Sequence, residues 1–109
     1  MDAQPDCLFC KLVREGEHVN VSEGFVAIED INPTAPVHLL VLPERHVDTF
    51  RDVSEFDADE AKRMLEFVAD TARRSGLEDY QVVVNVGPGA GQTVFHLHWH
   101  VLGGGRPFE

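Results

Sequence analysis

The stretch Thr93–Leu102, TVFHLHWHVL, sets a histidine at every second position: His96, His98 and His100. Side chains on a strand point alternately to opposite faces. Read as extended, the segment predicts that the three imidazoles share one face, with neighbours about 6.5–7 Å apart. Phe95, Leu97, Trp99 and Val101 share the other face and are expected to pack inward on a helix, leaving the imidazoles along an open surface or cleft. Three uses compete for such a stripe. It can be a solvent-facing polar face. It can bind one metal, although successive positions on a flat strand diverge too far for all three to join a compact tetrahedral set. Or it can be catalytic, since imidazole acts as nucleophile, acid/base or hydrogen-bond donor near its ordinary pKa of about 6.5. What precedes it favours catalysis: GPGAG (Gly87–Gly91) is a glycine-rich turn whose freed N–H groups can form an anion-binding nest, followed by Gln92 and Thr93.

Outward from this segment, YQVVVNV (Tyr80–Val86) reads as a strand, and its connection to Thr93 is short enough for a hairpin. FVAIED (Phe25–Asp30) and PVHLLVLP (Pro36–Pro43) read as two more strands; INPTAP between them must be loop, because Pro33 and Pro36 forbid regular pairing. One long helix is expected after Ser54, a candidate N-cap with Asp57 three residues on. Its apolar stripe is Ala61, Met64, Leu65, Val68 and Ala72, its solvated face Lys62, Glu66, Asp70 and Arg73, and Gly76 ends it. LFCKLVREG gives a short amphipathic helix with Leu8, Phe9, Leu12 and Val13 on one face and Gly16 as its stop. The expected class is α+β: an antiparallel sheet of about five strands, one long helix and a short N-terminal helix.

The 109 residues read as one domain, 1–109, and a hydrophobic content of 43% fits a folded chain. No apolar run approaches the roughly 20 residues of a membrane span. MDAQPDC lacks a basic segment followed by an apolar one, so a cytoplasmic location is expected. Nineteen acidic residues against nine basic leave a net charge of −10, which argues against a broad nucleic-acid or anionic-membrane surface while leaving room for a small phosphate in a local pocket. The two cysteines form Cys7-Leu8-Phe9-Cys10, which suggests half a metal site or a redox pair. Thioredoxin-like motifs follow a strand, and none precedes this one.

His96-Leu97-His98-Trp99-His100-Val101-Leu102 matches the His-φ-His-φ-His-φ-φ pattern, φ apolar, of the histidine triad (HIT) superfamily. The resemblance extends over CLFCKLV, AIEDINPTAPVHLLVLPERHV and VVVNVGPGAGQTVFHLHWHVLGG, and order and spacing resemble the Hint-like branch. It implies chemistry at the α-phosphorus of a nucleoside phosphoramidate or related purine nucleotide. His98 would attack to form a covalent nucleotidyl-histidine, and water would then release the monophosphate. His100, with backbone N–H groups around Gln92 to Val94, would meet charge on the non-bridging oxygens. Gln92 and Thr93 would assist the leaving group. Asp30 matches a ribose-binding carboxylate, with a plain turn residue as the other reading. Phe9, Leu12, Ile28 and Ile31 match positions that sandwich the base, or serve only as core. Asn85 matches a position near the phosphate, or is a strand-end turn residue. His38 matches a histidine supporting the triad, or is a satisfied core histidine. His18 matches nothing, and Trp99 stands where an aliphatic residue is more common.

The same resemblance implies a structural zinc held by Cys7, Cys10, His46 and His96, a closed tetrahedral set not required for the chemistry. The triad would then divide its labour, with His96 structural. The resemblance also implies a homodimer with the long helix and the Tyr80–Val86 strand near the two-fold axis, and an AMP-like ligand. The rival function is a nucleotide-binding regulatory adaptor with little turnover.

Overall fold

The computed structural model describes residues 7–104. Five antiparallel strands make one sheet in the order β1-β2-β3-β5-β4: β1 is Asn20–Ser22, β2 Phe25–Glu29, β3 Val37–Pro43, β4 Tyr80–Val83 and β5 Trp99–Gly103. Alternation along the strands divides the apolar residues between two faces. Phe25, Ala27, Leu39, Val41, Trp99 and Val101 pack with Leu97 and the long helix α2, Ala58–Arg74. Val26, Ile28, Leu40 and Leu42 face the other way and meet Phe9 of the short helix α1, Leu8–Glu15. The α+β class expected from sequence is the one observed.

Helix α2 begins one turn later than Ser54 suggests. Ser54 lies in a short 3-10 turn, Phe50–Glu55, and Asp57 is the N-cap, its carboxylate accepting from Glu60 N–H at 2.8 Å. Asp59 and Glu60 in the first turn and Arg73 and Arg74 in the last complement the helix dipole. The buried residues are Met64, Phe67, Val68, Thr71 and Ala72, spaced by three and four. Leu65 is about a quarter-turn off that stripe and is 54% exposed, so it does not belong to the core face. Helix α1 stops at Gly16 as expected, but not through a left-handed φ. Its backbone is extended, its N–H donates to Leu12 O at 2.8 Å, and a Cβ there would lie 2.7 Å from that same oxygen. Only glycine permits this approach.

Three strand expectations change. β1 carries little apolar pattern and went unread; it is an edge strand, tied to α2 by Asn20 Nδ2 donating to Asp70 at 3.2 Å and Thr71 at 3.1 Å. β4 stops at Val83 rather than Val86, because Asn85 and Gly87 turn their hydrogen bonds into the glycine-rich turn. β5 starts at Trp99 rather than Thr93. In the preceding residues, Leu97 N–H bonds Val47 O at 2.6 Å and His96 O is taken by an imidazole, so no ladder partner is left for either group. Phe95 accordingly points outward, 42% exposed, while Leu97, Trp99 and Val101 keep the expected helix side. Trp99 Nε1 is buried without a hydrogen-bond partner, its ring lying edge-on to Phe50.

Met64, 1% exposed, is the largest fully buried side chain of α2 and packs among the apolar side chains of the sheet. Met64→Ala is expected to cost about 2–5 kcal/mol with the secondary structure retained. Urea unfolding followed by circular dichroism checks it; a loss well below about 1 kcal/mol would mean this face of α2 is not core.

Candidate active site

On the sheet face opposite α2 a cleft of about 480 Å³ opens between α1, the β2–β3 loop and the glycine-rich turn. It gathers Phe9, Leu12, Asp30, Ile28, Ile31, His38, Asn85, Thr93, Val94, His98 and His100, all singled out from sequence, together with Leu8 and Leu40. Apolar side chains line one end. His98, His100 and Asp30 supply polar wall, Asp30 beside His38. Among the described residues no Lys or Arg lines the cleft.

Backbone groups can only donate or only accept, so they reveal where each imidazole carries its proton. His98 Nδ1 lies 2.7 Å from His96 O, a pure acceptor. Nδ1 therefore holds the proton, and Nε2 keeps a lone pair. Thr34 N–H donates to His38 Nδ1 at 3.1 Å, so the proton of neutral His38 is on Nε2. That Nε2–H faces His100 Nδ1 at 2.9 Å and Asp30 Oδ2 at 3.4 Å. His100 must accept with Nδ1 and so carries its own proton on Nε2. Two residues of one segment thus differ in kind: His98 keeps a lone pair on Nε2, and His100 a proton there. Burial lowers the pKa of both, with neighbouring His98 and His38 adding to the effect at His100, so both are neutral at pH 7.

His96 takes no part in this cleft. It is wholly buried, its Nε2–H donating to Pro43 O at 2.8 Å, which leaves the Nδ1 lone pair aimed at Cys10 Sγ (3.4 Å) and Cys7 Sγ (3.5 Å). His46 is set the same way: Nε2 bonds the Asp48 carboxylate, and Nδ1 lies 3.2 Å from Cys10 Sγ. Helix α1 supplies both sulfurs, with Cys7 as its N-cap accepting from Cys10 N–H at 3.3 Å. All four ligand atoms lie within 4.8 Å of one another. A tetrahedral zinc with bonds of about 2.3 Å to sulfur and 2.0–2.1 Å to nitrogen sets neighbouring S and N about 3.5 Å apart. The observed separations fit, and both rings are oriented by outer partners as metal-ligating histidines are. Cys7, Cys10, His46 and His96 are therefore a group able to hold a metal. Asp30, His38 and His100 also lie close together, but the Thr34 amide occupies the His38 lone pair, so that trio is a hydrogen-bond chain.

Gln92 is buried and does not reach the cleft. Its Oε1 accepts from Gly87 N–H at 2.9 Å while its Nε2 donates to Asp48 O (2.9 Å) and Val94 O (3.1 Å). Its own N–H is spent on Gly87 O. Gln92 therefore braces the turn rather than meeting a leaving group. Asn85 also braces it, Nδ2 donating to Ala90 O at 2.9 Å, but remains on the cleft wall. Gly87 adopts φ +84°, and a Cβ there would meet the Arg51 guanidinium at 2.7 Å. Ile31 is 87% exposed at the cleft mouth, whereas Ile28 and Phe9 are largely buried walls. His18 bonds Leu12 O, outside the cleft wall. Sequence reading missed Asp48 and the carbonyl of Pro43; the only signal was a carboxylate two residues after His46.

Burial holds the His96 pKa down to about 4, so in metal-free protein the unfolded chain binds this proton first as pH falls. Stability present above pH 6.5 is lost between about 6.5 and 4, by about 3 kcal/mol in total. Denaturant unfolding with chelator present at pH 7.0 and 4.5 checks it, alongside NMR titration of His96; a His96 resonance titrating near 6.5 would contradict the placement.

The chain matches the HIT domain family over residues 12–106. It is 43% identical over 95 residues to an uncharacterized HIT-like protein of Chlamydia trachomatis serovar D, covering 84% of this chain and 83% of the relative. The structure superposes on that of a HIT family hydrolase from Legionella pneumophila Philadelphia 1 with a TM-score of 0.84 at 37% identity, covering 93% and 95% of the two chains. It superposes on a histidine triad nucleotide-binding protein from Candida albicans with a TM-score of 0.78 at 25% identity, covering 95% and 85%. Among the described residues no helix is long and apolar enough to cross a membrane. On its motif, its fold and these relatives, the chain belongs to the histidine triad family.

Proposed function

We propose that this protein is a hydrolase of the Hint-like kind, acting at the α-phosphorus of nucleoside 5′-phosphoramidates or related purine nucleotides through a covalent nucleotidyl-histidine. The observation that carries the reading is the proton placement: an unprotonated His98 Nε2 and a protonated His100 Nε2 on one cleft. His98 Nε2 attacks phosphorus, forming a P–N bond to imidazole as the bond to the leaving amine breaks and the amine takes up a proton. Water then attacks the same phosphorus, the imidazole leaves, and the nucleoside monophosphate is released. One hard displacement becomes two easier ones. His100 N–H donates to the non-bridging oxygens as their charge grows, and the Thr93 hydroxyl donates to the leaving group. Asp30 accepts from the ribose hydroxyls. Phe9, Leu12, Ile28 and Ile31 receive the base, with Asn85 and Val94 beside the phosphate. His38, fixed by Thr34 N–H, positions His100.

The Cys7, Cys10, His46 and His96 group is read as a structural zinc site: four protein ligands leave no open position for Lewis-acid work. A homodimer fits the exposed edge of the sheet, where β4 leaves Val82 and Val83 44% and 38% exposed.

Adenosine 5′-phosphoramidate is expected to yield AMP. His98→Ala should lower kcat/KM by about 10⁴-fold or more without altering the circular dichroism spectrum. Mass spectrometry of quenched wild type should find a nucleotidyl adduct on His98; binding of AMP with neither adduct nor turnover would favour the adaptor reading. Purified protein should carry about one zinc per chain, and Cys10→Ser should lose most of it while lowering Tm. Full zinc retention in that variant, by elemental analysis, would remove the four-ligand site.

A further inference from the structure

The metal-binding group and the cleft share no residue, yet Phe9, His98 and the glycine-rich turn, three parts of the cleft wall, are each fastened to that group. Cys10 is followed back along α1 by Phe9, whose ring stands edge-on to the His98 imidazole with centroids 4.9 Å apart and lines the cleft. His96 contributes the carbonyl that holds His98 Nδ1 at 2.7 Å. Asp48 works in both directions. Its carboxylate holds His46 Nε2, and its main-chain carbonyl accepts from Gln92 Nε2 at 2.9 Å. Gln92 in turn holds Gly87 N–H and Val94 O, the two ends of the turn that faces the phosphate position.

We propose that metal held by Cys7, Cys10, His46 and His96 is thermodynamically linked to nucleotide bound in the cleft, with Gln92 as a positioning residue on the route to the glycine-rich turn. The inference rests on the nucleotide reading above. The four groups touch through S···N contacts of 3.2–3.5 Å, which join α1 to the segment around His46 and the segment before β5; Leu97 N–H on Val47 O and His96 Nε2 on Pro43 O join those last two as well. A tetrahedral ion replaces these contacts with stronger bonds, so the three segments lose freedom together. A nucleotide seated against Phe9, His98 and the turn orders α1 and the segment before β5 directly, and reaches the segment around His46 through the Gln92–Asp48 bond. Whichever ligand arrives first removes part of the ordering cost of the second. Linkage of binding free energies is reciprocal, so each must tighten the other by one and the same factor.

The test uses wild-type protein, adenosine monophosphate and zinc. Calorimetry gives the AMP affinity of chelator-treated and zinc-loaded protein, and competition with a chromophoric chelator gives the zinc affinity with and without saturating AMP. Both shifts are expected to agree and to be about fivefold or more. Equal AMP affinity in the two forms, within about twofold, overturns the proposal. Zinc failing to bind while AMP binds overturns it through its metal end and leaves the nucleotide reading standing. AMP binding to neither form overturns both. Gln92→Leu should reduce the linkage factor by about twofold or more, with zinc affinity of the nucleotide-free protein unchanged. An unreduced factor in the folded variant removes Gln92 from the route, and should the variant not fold, the wild-type comparison decides alone.

Discussion

His46, His96, His98 and His100 each have one nitrogen committed to a partner of fixed polarity, and that commitment dictates what the other nitrogen can do. Pro43 O and His96 O accept, the His38 Nε2–H set by Thr34 N–H donates, and the Asp48 carboxylate accepts. The outcomes differ: His96 and His46 turn lone pairs on Nδ1 toward sulfur, His98 turns a lone pair on Nε2 toward the cleft, and His100 turns a proton there. Side-chain chemistry is identical in all four. Main-chain geometry makes them different reagents.

That geometry follows from where the histidines sit relative to the ladder. β3 and β5 pair through the centre of the sheet, with Leu40 opposite His100 and His38 opposite Leu102. This register sets His38 and His100 on the same face, close enough to bond at 2.9 Å. Two residues earlier the ladder has ended, and main-chain groups that a longer strand would have paired are free to serve imidazoles and Val47. The short β5 is therefore what lets His96 dive away from the cleft while His98 stays in it. Burial of these rings is tolerable because they are neutral and hydrogen-bonded; a charged imidazole in the same place would carry a desolvation cost that lowered pKa values express.

Period-two alternation was a good guide where the chain is truly extended: Leu97, Trp99 and Val101 face α2, and the Phe25–Glu29 and Val37–Pro43 strands lie where their apolar runs begin and end. It misled at Phe95 and His96, because a pattern of side chains says nothing of side chains that compete for the backbone's own bonds. Gln92 shows the same limit. Its place beside Thr93 suggested contact with substrate, whereas three hydrogen bonds, one accepted and two donated, draw it beneath the turn. Leu65 joined the predicted stripe on hydrophobicity, and the helical angle excludes it. Most of the cleft wall was legible because the motif blocks carry it. The Pro43 carbonyl and the Thr34 amide were not, since backbone groups leave no trace in residue identity, and Asp48 left only a carboxylate two residues after His46.

The charge of the molecule bears on how the cleft can treat an anion. A net charge of −10 goes with a cleft wall whose described residues include carboxylate but neither Lys nor Arg. The described wall therefore offers a phosphate short-range donors rather than long-range attraction, first among them the His100 N–H. Such dipoles act within a few ångströms and are little screened, so they discriminate by position rather than by total charge. Donors aimed where charge accumulates favour a reacting geometry over the states on either side of it, while the acidic surface keeps polyanions away.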